Sequence, residues 1–200
     1  MAVLLAMFTF SLVMSISPGP VNMISVSTGA TYGAWRAFRF VSGATVGFTM
    51  LLVVSAFGLA TLVTNHAGVL DALSVAGFAF MMYLGGKIML ATPDLDTERD
   101  AVPRFADGFM LQWLNPKAWM ACVSGVSLFT GAAGASRLTI FVVMYFFVCY
   151  ASLFAWALLG GALSGVLAGR AARLRVFNAV MGGLLMVTAC YLLYERFVLG

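Results

Sequence analysis

A single lysine stands inside an apolar stretch that contains no other charge. From Gly108 to Thr130 the only charged side chain is Lys117, which directly follows Asn115 and Pro116. It comes about ten residues after Asp107, so a rise of about 1.5 Å per residue places it roughly 15 Å into a membrane. A lysine near the bilayer centre costs about 2.5–3.5 kcal/mol, so it normally faces a cavity or a partner. It could contact a substrate carboxylate, act as a gate that changes partners, or cap freed backbone carbonyls.

Helix-breaking residues also interrupt the first apolar stretch. Residues 17–22 read S-P-G-P-V-N within a charge-free run from Met1 to Trp35. A proline lacks an N–H and clashes with the carbonyl four residues back. A helix broken in hydrocarbon exposes backbone polar groups, which is tolerated only beside protein or a water-filled cavity. We therefore predict that both breaks face one midplane cavity, where half-helix N-termini suit a substrate carboxylate.

The predicted substrate-binding residues form the two breaks or stand beside them. They are Pro18, Gly19, Pro20, Asn22, Gln112, Asn115, Pro116 and Lys117. The amides of Asn22 and Asn115 either read the substrate's ammonium and carboxylate groups or satisfy stray backbone groups. Lys87 and Asp107, near the ends of their stretches, are candidates for gating or proton coupling. The alternatives are snorkelling to the interface for Lys87 and a helix-start charge for Asp107.

The elements that hold these residues are membrane helices by composition. The 200 residues are 62% hydrophobic and 9% charged, whereas a soluble domain has about 25% charged residues. Six apolar stretches, each near the roughly 20 residues of a spanning helix, lie at 2–27, 39–64, 71–91, 108–130, 138–161 and 177–196. We predict one all-α polytopic domain over 1–200 with six transmembrane helices, of which the first and fourth are broken. No basic residue precedes the first stretch, which favours a retained helix over a signal peptide.

The two halves of the chain resemble each other weakly. Pairing Pro18 with Pro116 requires an offset of 98, and L-G-G-K-I-M at 84–89 resembles M-G-G-L-L-M at 181–186 at an offset of 97. This pattern favours an inverted repeat of three plus three helices, because duplicating an odd number of helices inverts the second copy in the membrane. The predicted halves and the linker between them are 1–91, 105–200 and 92–104.

Basic residues are unequally distributed between the two sides of the predicted membrane domain. One side holds Arg36, Arg39, Lys87, Arg99, Arg104, Arg170, Arg173 and Arg175, and the other holds Arg137 and Arg196. The positive-inside rule places the larger group in the cytoplasm and both termini outside. The net charge of +4 thus reflects topology, and no nucleic-acid partner is expected.

Several site types lack their residues in this sequence. Cys122, Cys149 and Cys190 are isolated, without the Cys or Cys/His spacing of a metal site or disulfide framework. The sequence contains no H-E-x-x-H or G-x-S-x-G motif. We therefore expect no cofactor, no metal and no enzymatic activity. Gly43 and Gly47 form a small-residue face that serves packing within the chain or, alternatively, a homodimer.

Four motifs follow one another along the chain. They are S-P-G-P at 17–20, Y-L-G-G-K at 83–87, F-x-x-G-F at 105–109 and N-P-K-A at 115–118. Together they resemble the LysE/RhtB superfamily of amino-acid exporters, over nearly the whole chain. P-G-P-V-N and the placing of Gln112 are most similar to its cysteine/O-acetylserine exporter branch, although Val21 stands where asparagine commonly follows P-G-P.

The resemblance implies a secondary exporter of small amino acids or their derivatives, driven by the proton-motive force. It also implies a multi-pass protein of the bacterial inner membrane, with the substrate, protons and the lipid bilayer as partners. A passive facilitator or channel for small zwitterionic metabolites, using the same cavity, is the alternative. A hard-cation exporter is disfavoured. A site for such a cation would need several oxygen ligands, and no carboxylate lies deep in any apolar stretch.

Overall fold

A computed structural model describes residues 1–58, 66–91, 102–129, 134–167 and 171–199. Their helices are α1 (Ala2–Ile16), α2 (Pro20–Tyr32), α3 (Ala34–Ala56), α4 (Ala67–Met89), α5 (Phe105–Trp113), α6 (Pro116–Phe129), α7 (Gly134–Leu167) and α8 (Ala171–Tyr194). A π-helical turn, Glu195–Leu199, follows α8. The described residues contain no strand, so the all-α prediction is confirmed.

Four of the described helices, α3, α4, α7 and α8, are long and apolar enough to cross a membrane. The count rises to five if α1 and α2, which meet at an angle of 61°, form one bent span. The protein is thus a multi-pass membrane protein. The stretch predicted at 108–130 is divided into α5 and α6, of 9 and 14 residues, so a sixth span stays a prediction. Most of the predicted linker, 92–101, lies outside the described residues.

The helix boundaries expected from charge were wrong by several residues. Helix α3 begins at Ala34 rather than residue 39, and α8 begins at Ala171 rather than residue 177. Their first turns contain Arg36 and Arg173, whose long side chains can reach the interface without ending the helix. Helix α3 also ends early, just before Gly58, whose φ of +92° favours glycine; residues 59–64 lie outside the described residues.

Glycines let α3 and α5 pack backbone against backbone. A Cβ added at Gly43 would collide with the carbonyl of Phe105, and one at Gly47 would lie 2.8 Å from the carbonyl oxygen of Phe109. The small-residue face predicted on α3 is therefore occupied within the chain. It holds α5, and with it the start of the second break, against the core.

The long helix α7 packs against α1, α2 and α3. Against α2 the approach is again close, because a Cβ at Gly29 would collide with the Ala157 carbonyl and one at Gly160 with the Val26 carbonyl. Against α3, the rings of Tyr145 and Phe48 lie 4.5 Å apart. Helix α7 therefore forms a wall beside the first break.

Candidate functional site

The chain leaves helical geometry between α1 and α2. Ser17 has φ −62° and ψ 135°, and Gly19 has φ −171° and ψ 179°. Pro20 is the first residue of α2, a position where its missing N–H is no loss. The extended residues between the helices leave the last carbonyls of α1 without intrahelical partners.

Side chains from three helices satisfy these carbonyls at the first break. Asn22 of α2 donates to the carbonyls of Ser15 and Ser17 at 3.0 and 3.1 Å. Trp156 of α7 donates its indole N–H to the carbonyl of Ile16 at 3.1 Å. The remaining donor is Lys117, on α6. The first break is therefore held by distant parts of the chain as well as by its own segment.

The Lys117 ammonium is fully engaged at this break. Its Nζ donates to the Ser17 carbonyl at 2.9 Å, to the Ser17 hydroxyl at 2.8 Å and to the Pro18 carbonyl at 3.3 Å. All three acceptors are neutral. A Cβ at Gly19 would lie 3.3 Å from the same nitrogen, so glycine gives the ammonium room. In this conformation Lys117 caps carbonyls freed by the first break, as one of its three sequence interpretations describes.

The second break, between α5 and α6, is satisfied locally. Asn115 accepts at its side-chain oxygen from the Lys117 backbone N–H, at 3.1 Å, and at its carbonyl from the N–H of Ala118, at 2.9 Å. It thereby caps the N-terminus of α6. The indole N–H of Trp119 donates to the freed carbonyl of Trp113 at 2.7 Å. All these groups come from one short segment.

The two helix starts are not related by the offset that pairs Pro18 with Pro116. Helix α2 begins at Pro20 and α6 at Pro116, an offset of 96. The corresponding cap positions are Gly19 and Asn115. The first motif contains two prolines, and only the second starts a helix. Helix α2 consequently has no side-chain cap, whereas α6 has one.

A cavity of about 40 Å³ lies between the two breaks. Its lining includes six of the eight predicted substrate-binding residues, namely Gly19, Pro20, Asn22, Gln112, Asn115 and Lys117. Pro18 contributes only its carbonyl, to Lys117, and Pro116 starts α6 outside the lining. The uncapped start of α2 opens into this cavity, so N–H groups without intrahelical partners lie beside the ammonium.

The cavity is small in this conformation. Its volume of about 40 Å³ is far below the roughly 300–1,000 Å³ of usual ligand sites. Asn22, Gln112 and Asn115 are each at most 5% exposed, so their amides are shielded from bulk solvent. A solute of amino-acid size fits only if the lining moves.

A family model described as LysE type translocator matches residues 12–196. This chain belongs to the LysE family. The match confirms the resemblance carried by the four motifs. Proteins named cysteine/O-acetylserine efflux protein, from Escherichia coli O157:H7 and Salmonella choleraesuis (strain SC-B67), are 27% and 25% identical to it over 124 residues. The matched part covers 62% of this chain and 64% of each relative. No solved structure gives a significant match.

The two residues predicted for gating or coupling in the LysE-family chain lie away from this cavity. Lys87 lines a second, smaller cavity of about 10 Å³, together with Ser27 and Thr28. Asp107 accepts from the backbone N–H of Arg104 at 2.7 Å, so it serves as a helix-start charge on α5. A gating or coupling role for either residue stays a prediction.

Helix α7 of the LysE-family chain contributes cavity residues that sequence reasoning missed. Tyr145, Cys149 and Leu153 all line the cavity and follow one another every four residues, on one helix face. The sequence assigns Cys149 no role in the site; in the structure it is buried and has a free thiol. In the sequence, the four-residue spacing of Tyr145 and Cys149 within an apolar stretch was the signal that this face could line a cavity. Within the described residues, no group of His, Cys, Asp or Glu side chains could hold a metal.

Proposed function

We propose that this protein is a secondary exporter of small amino acids or their derivatives, with its substrate site in the cavity between the two breaks. The observation that carries the proposal is Lys117, a half-buried ammonium on the cavity wall whose three acceptors are neutral. A buried charge is usually paired with an opposite one. A substrate carboxylate would supply that charge, and the relatives named as efflux proteins support amino-acid derivatives as cargo.

Binding on this proposal is an exchange of partners. The substrate carboxylate takes the Lys117 ammonium, helped by the partial positive charge at the uncapped start of α2. The substrate ammonium takes the acceptors that Lys117 leaves, the carbonyls of Ser17 and Pro18. The exchange leaves each buried polar group with a hydrogen-bond partner. Polar groups in hydrocarbon require such partners. Because Lys117 now fills part of the cavity, its departure also makes room.

The packing of α4 on α8 supports the three-plus-three inverted repeat. A Cβ at Gly85 would lie 3.1 Å from the Gly182 carbonyl oxygen, and one at Gly182 would lie 2.5 Å from the Gly85 carbonyl oxygen. Gly85 also faces Met186, while Gly182 faces Met89. An offset of 97 pairs Gly85 with Gly182 and Met89 with Met186, so the two contacts correspond to each other. A two-fold axis between the halves requires this correspondence. Such an axis suits alternating access around a fixed site.

We also propose an inner-membrane protein with both termini outside. The eight basic residues assigned to the cytoplasmic side, against two opposite, support this orientation. Cysteine replacements of Arg36 and Arg173 should react with an impermeant thiol reagent only in inside-out vesicles, with Cys190 replaced to remove the exposed background thiol. Reaction in intact spheroplasts would overturn the orientation.

The function is tested by efflux from cells that express the chain and are preloaded with labelled cysteine, O-acetylserine, homoserine, threonine, leucine or lysine. We expect efflux of one or two of these above the vector control, and its loss when an uncoupler collapses the proton gradient. Protein present in the membrane at normal abundance but without efflux of any of them would contradict the proposal.

A passive facilitator is the second candidate. It is favoured by the cavity lining, which among the described residues includes no carboxylate to carry a proton. The same experiment separates the two functions, because efflux through a facilitator persists with the uncoupler and stops when the inside and outside concentrations are equal.

A further inference from the structure

A second cavity lies beside α2, towards the C-terminal end of that helix. Its volume is about 10 Å³, and Ser27 and Thr28 of α2 line it together with Lys87 of α4. Ser27 comes five residues after Asn22, which lines the larger cavity. At a rise of about 1.5 Å per residue, the two cavities are therefore about 8 Å apart along α2. Because Lys87 is among the basic residues assigned to the cytoplasm, the smaller cavity lies between the larger one and that side.

Lys87 places a positive charge on the wall of the smaller cavity. Its side chain is half-buried, and no hydrogen bond or ion pair joins it to any other residue in the described part of the chain. Lys117, by comparison, has three acceptors. A charge held away from bulk water usually has a partner. Thr28, on the same cavity wall and 2% exposed, adds a hydroxyl that can donate. An ammonium and a hydroxyl together suit a carboxylate.

Asn178 of α8 holds the walls of this cavity together. It is fully buried, and its Oδ1 accepts from the hydroxyls of Ser27 and Thr31 of α2, at 3.1 Å each. Its Nδ2 donates to the carbonyl of Ala91, just after α4, at 3.1 Å. Ser27 and Ala91 both line the cavity. One amide therefore connects α8 to both α2 and the end of α4.

The two hydroxyls on α2 have a second partner within their own helix. Ser25 of α2 donates to the Val21 carbonyl, four residues back, at 2.9 Å, which is the usual bond of a helical serine. Ser27 and Thr31 can make the same bond to the carbonyls of Met23 and Ser27. If α8 moved away from α2, both hydroxyls would thus keep a partner, so the separation leaves no hydroxyl of this cluster unsatisfied.

We propose that the smaller cavity is an access site for the carboxylate of the exported amino acid, and that Asn178 keeps this site closed in the present conformation. The inference rests on the proposed function. Separation of α2 from the closely packed pair of α4 and α8 widens the cavity and frees the Asn178 amide. A carboxylate arriving from the cytoplasm then binds Lys87 and Thr28 before it reaches Lys117 in the larger cavity.

The charge preference of the site is tested with a thiol placed in it. In inside-out vesicles, Thr28→Cys reacts with a negatively or a positively charged methanethiosulfonate reagent, and each rate is divided by that of the same reagent with free cysteine. Cys190 is replaced, and the same protein with Thr28 intact gives the background. We expect the negative reagent to be favoured about two- to fivefold, as for a half-exposed charge pair. Lys87→Met should remove this preference, and Lys87→Arg should restore it.

The closure is tested with the same thiol. Asn178→Leu keeps the size of the side chain but removes the amide, and we expect it to raise the rates of both reagents at Thr28→Cys about three- to tenfold, as for one or two hydrogen bonds between membrane helices. Ser27→Ala combined with Thr31→Val removes the donors instead and serves as the second variant. Ser25→Cys is the matched control, because Ser25 is fully buried on the same helix and lines neither cavity. It should stay unreactive.

Each contrary result overturns a stated part of the inference. Equal relative rates of the two reagents, or a preference that survives Lys87→Met, would overturn the access site and indicate that Lys87 only extends to the interface. Unchanged rates in both variants at the Asn178 contacts would overturn the closure, and so would an equal rise at Ser25→Cys, which would indicate general loosening. Labelling does not require transport. Absence of efflux by the unmodified protein would refute the proposed function instead, and with it the amino acid as the ligand of this site.

Discussion

The two helix breaks solve one physical problem in different ways. At the first, freed carbonyls are satisfied by side chains of α2, α6 and α7, including Lys117 and Trp156. At the second, Asn115 and Trp119 satisfy the freed groups from within the same segment. A break that depends on distant donors changes when those helices move, and a break that satisfies itself does not. We infer that the first break is the part that responds to substrate, while the second is a fixed base that presents Lys117.

The largest effect is expected from Lys117→Met. It removes the proposed contact to the substrate carboxylate and the cap on the Ser17 and Pro18 carbonyls. Loss of a hydrogen bond to a charged group costs about 1.5–3 kcal/mol, so transport should fall by about 10- to 150-fold. Efflux is measured alongside membrane abundance, which should stay near normal. Unchanged efflux would remove Lys117 from the site.

A smaller effect is expected at the cap of the second break. Asn115→Ala removes the acceptor for the Lys117 backbone N–H and should lower the free energy of unfolding by about 1 kcal/mol. Thermal unfolding in detergent measures this change. Asn115→Ser, which keeps a capping oxygen, should restore stability. Asn115→Ala should also lower transport. If Asn115→Ser restores transport, transport requires only the capping oxygen; if transport stays low in Asn115→Ser, the amide itself contacts the substrate.

The smallest effects come from a matched pair of tryptophans, one at each break. Trp156→Phe and Trp119→Phe each remove one indole N–H donated to a freed carbonyl, a change of about 0.5–1.5 kcal/mol. We expect Trp156→Phe to alter transport kinetics, because it loosens the responsive break. Trp119→Phe should lower only thermal stability. Equal effects of both variants on transport would show that the two breaks do not differ as inferred.

The places of the breaks and of the half-buried lysine could be predicted from the sequence, because proline chemistry and the cost of an intramembrane charge act locally. Six of the eight predicted residues line one cavity. Which proline begins α2 could not be predicted, since both prolines in the first motif fit a helix start and only the backbone path selects Pro20. The identity of the acceptors of Lys117 depends on how α6 packs against α1, which no local pattern encodes.

The contribution of α7 to the site could not be predicted from local sequence patterns for the same reason. Trp156 and Tyr145 are ordinary residues for a membrane helix until the fold places them beside the first break. The predicted helix ends differ from the observed ones because an arginine does not mark a boundary: its long apolar stem allows a helix to continue past it.

The most direct test of the partner exchange at Lys117 is a binding measurement on purified protein. It compares the transported amino acid with its carboxamide, which keeps the ammonium and side chain but lacks the carboxylate. The account predicts that the unmodified protein prefers the free acid at least about tenfold, as a charge-assisted bond allows, and that Lys117→Met binds both equally. The same preference retained in Lys117→Met would contradict the account.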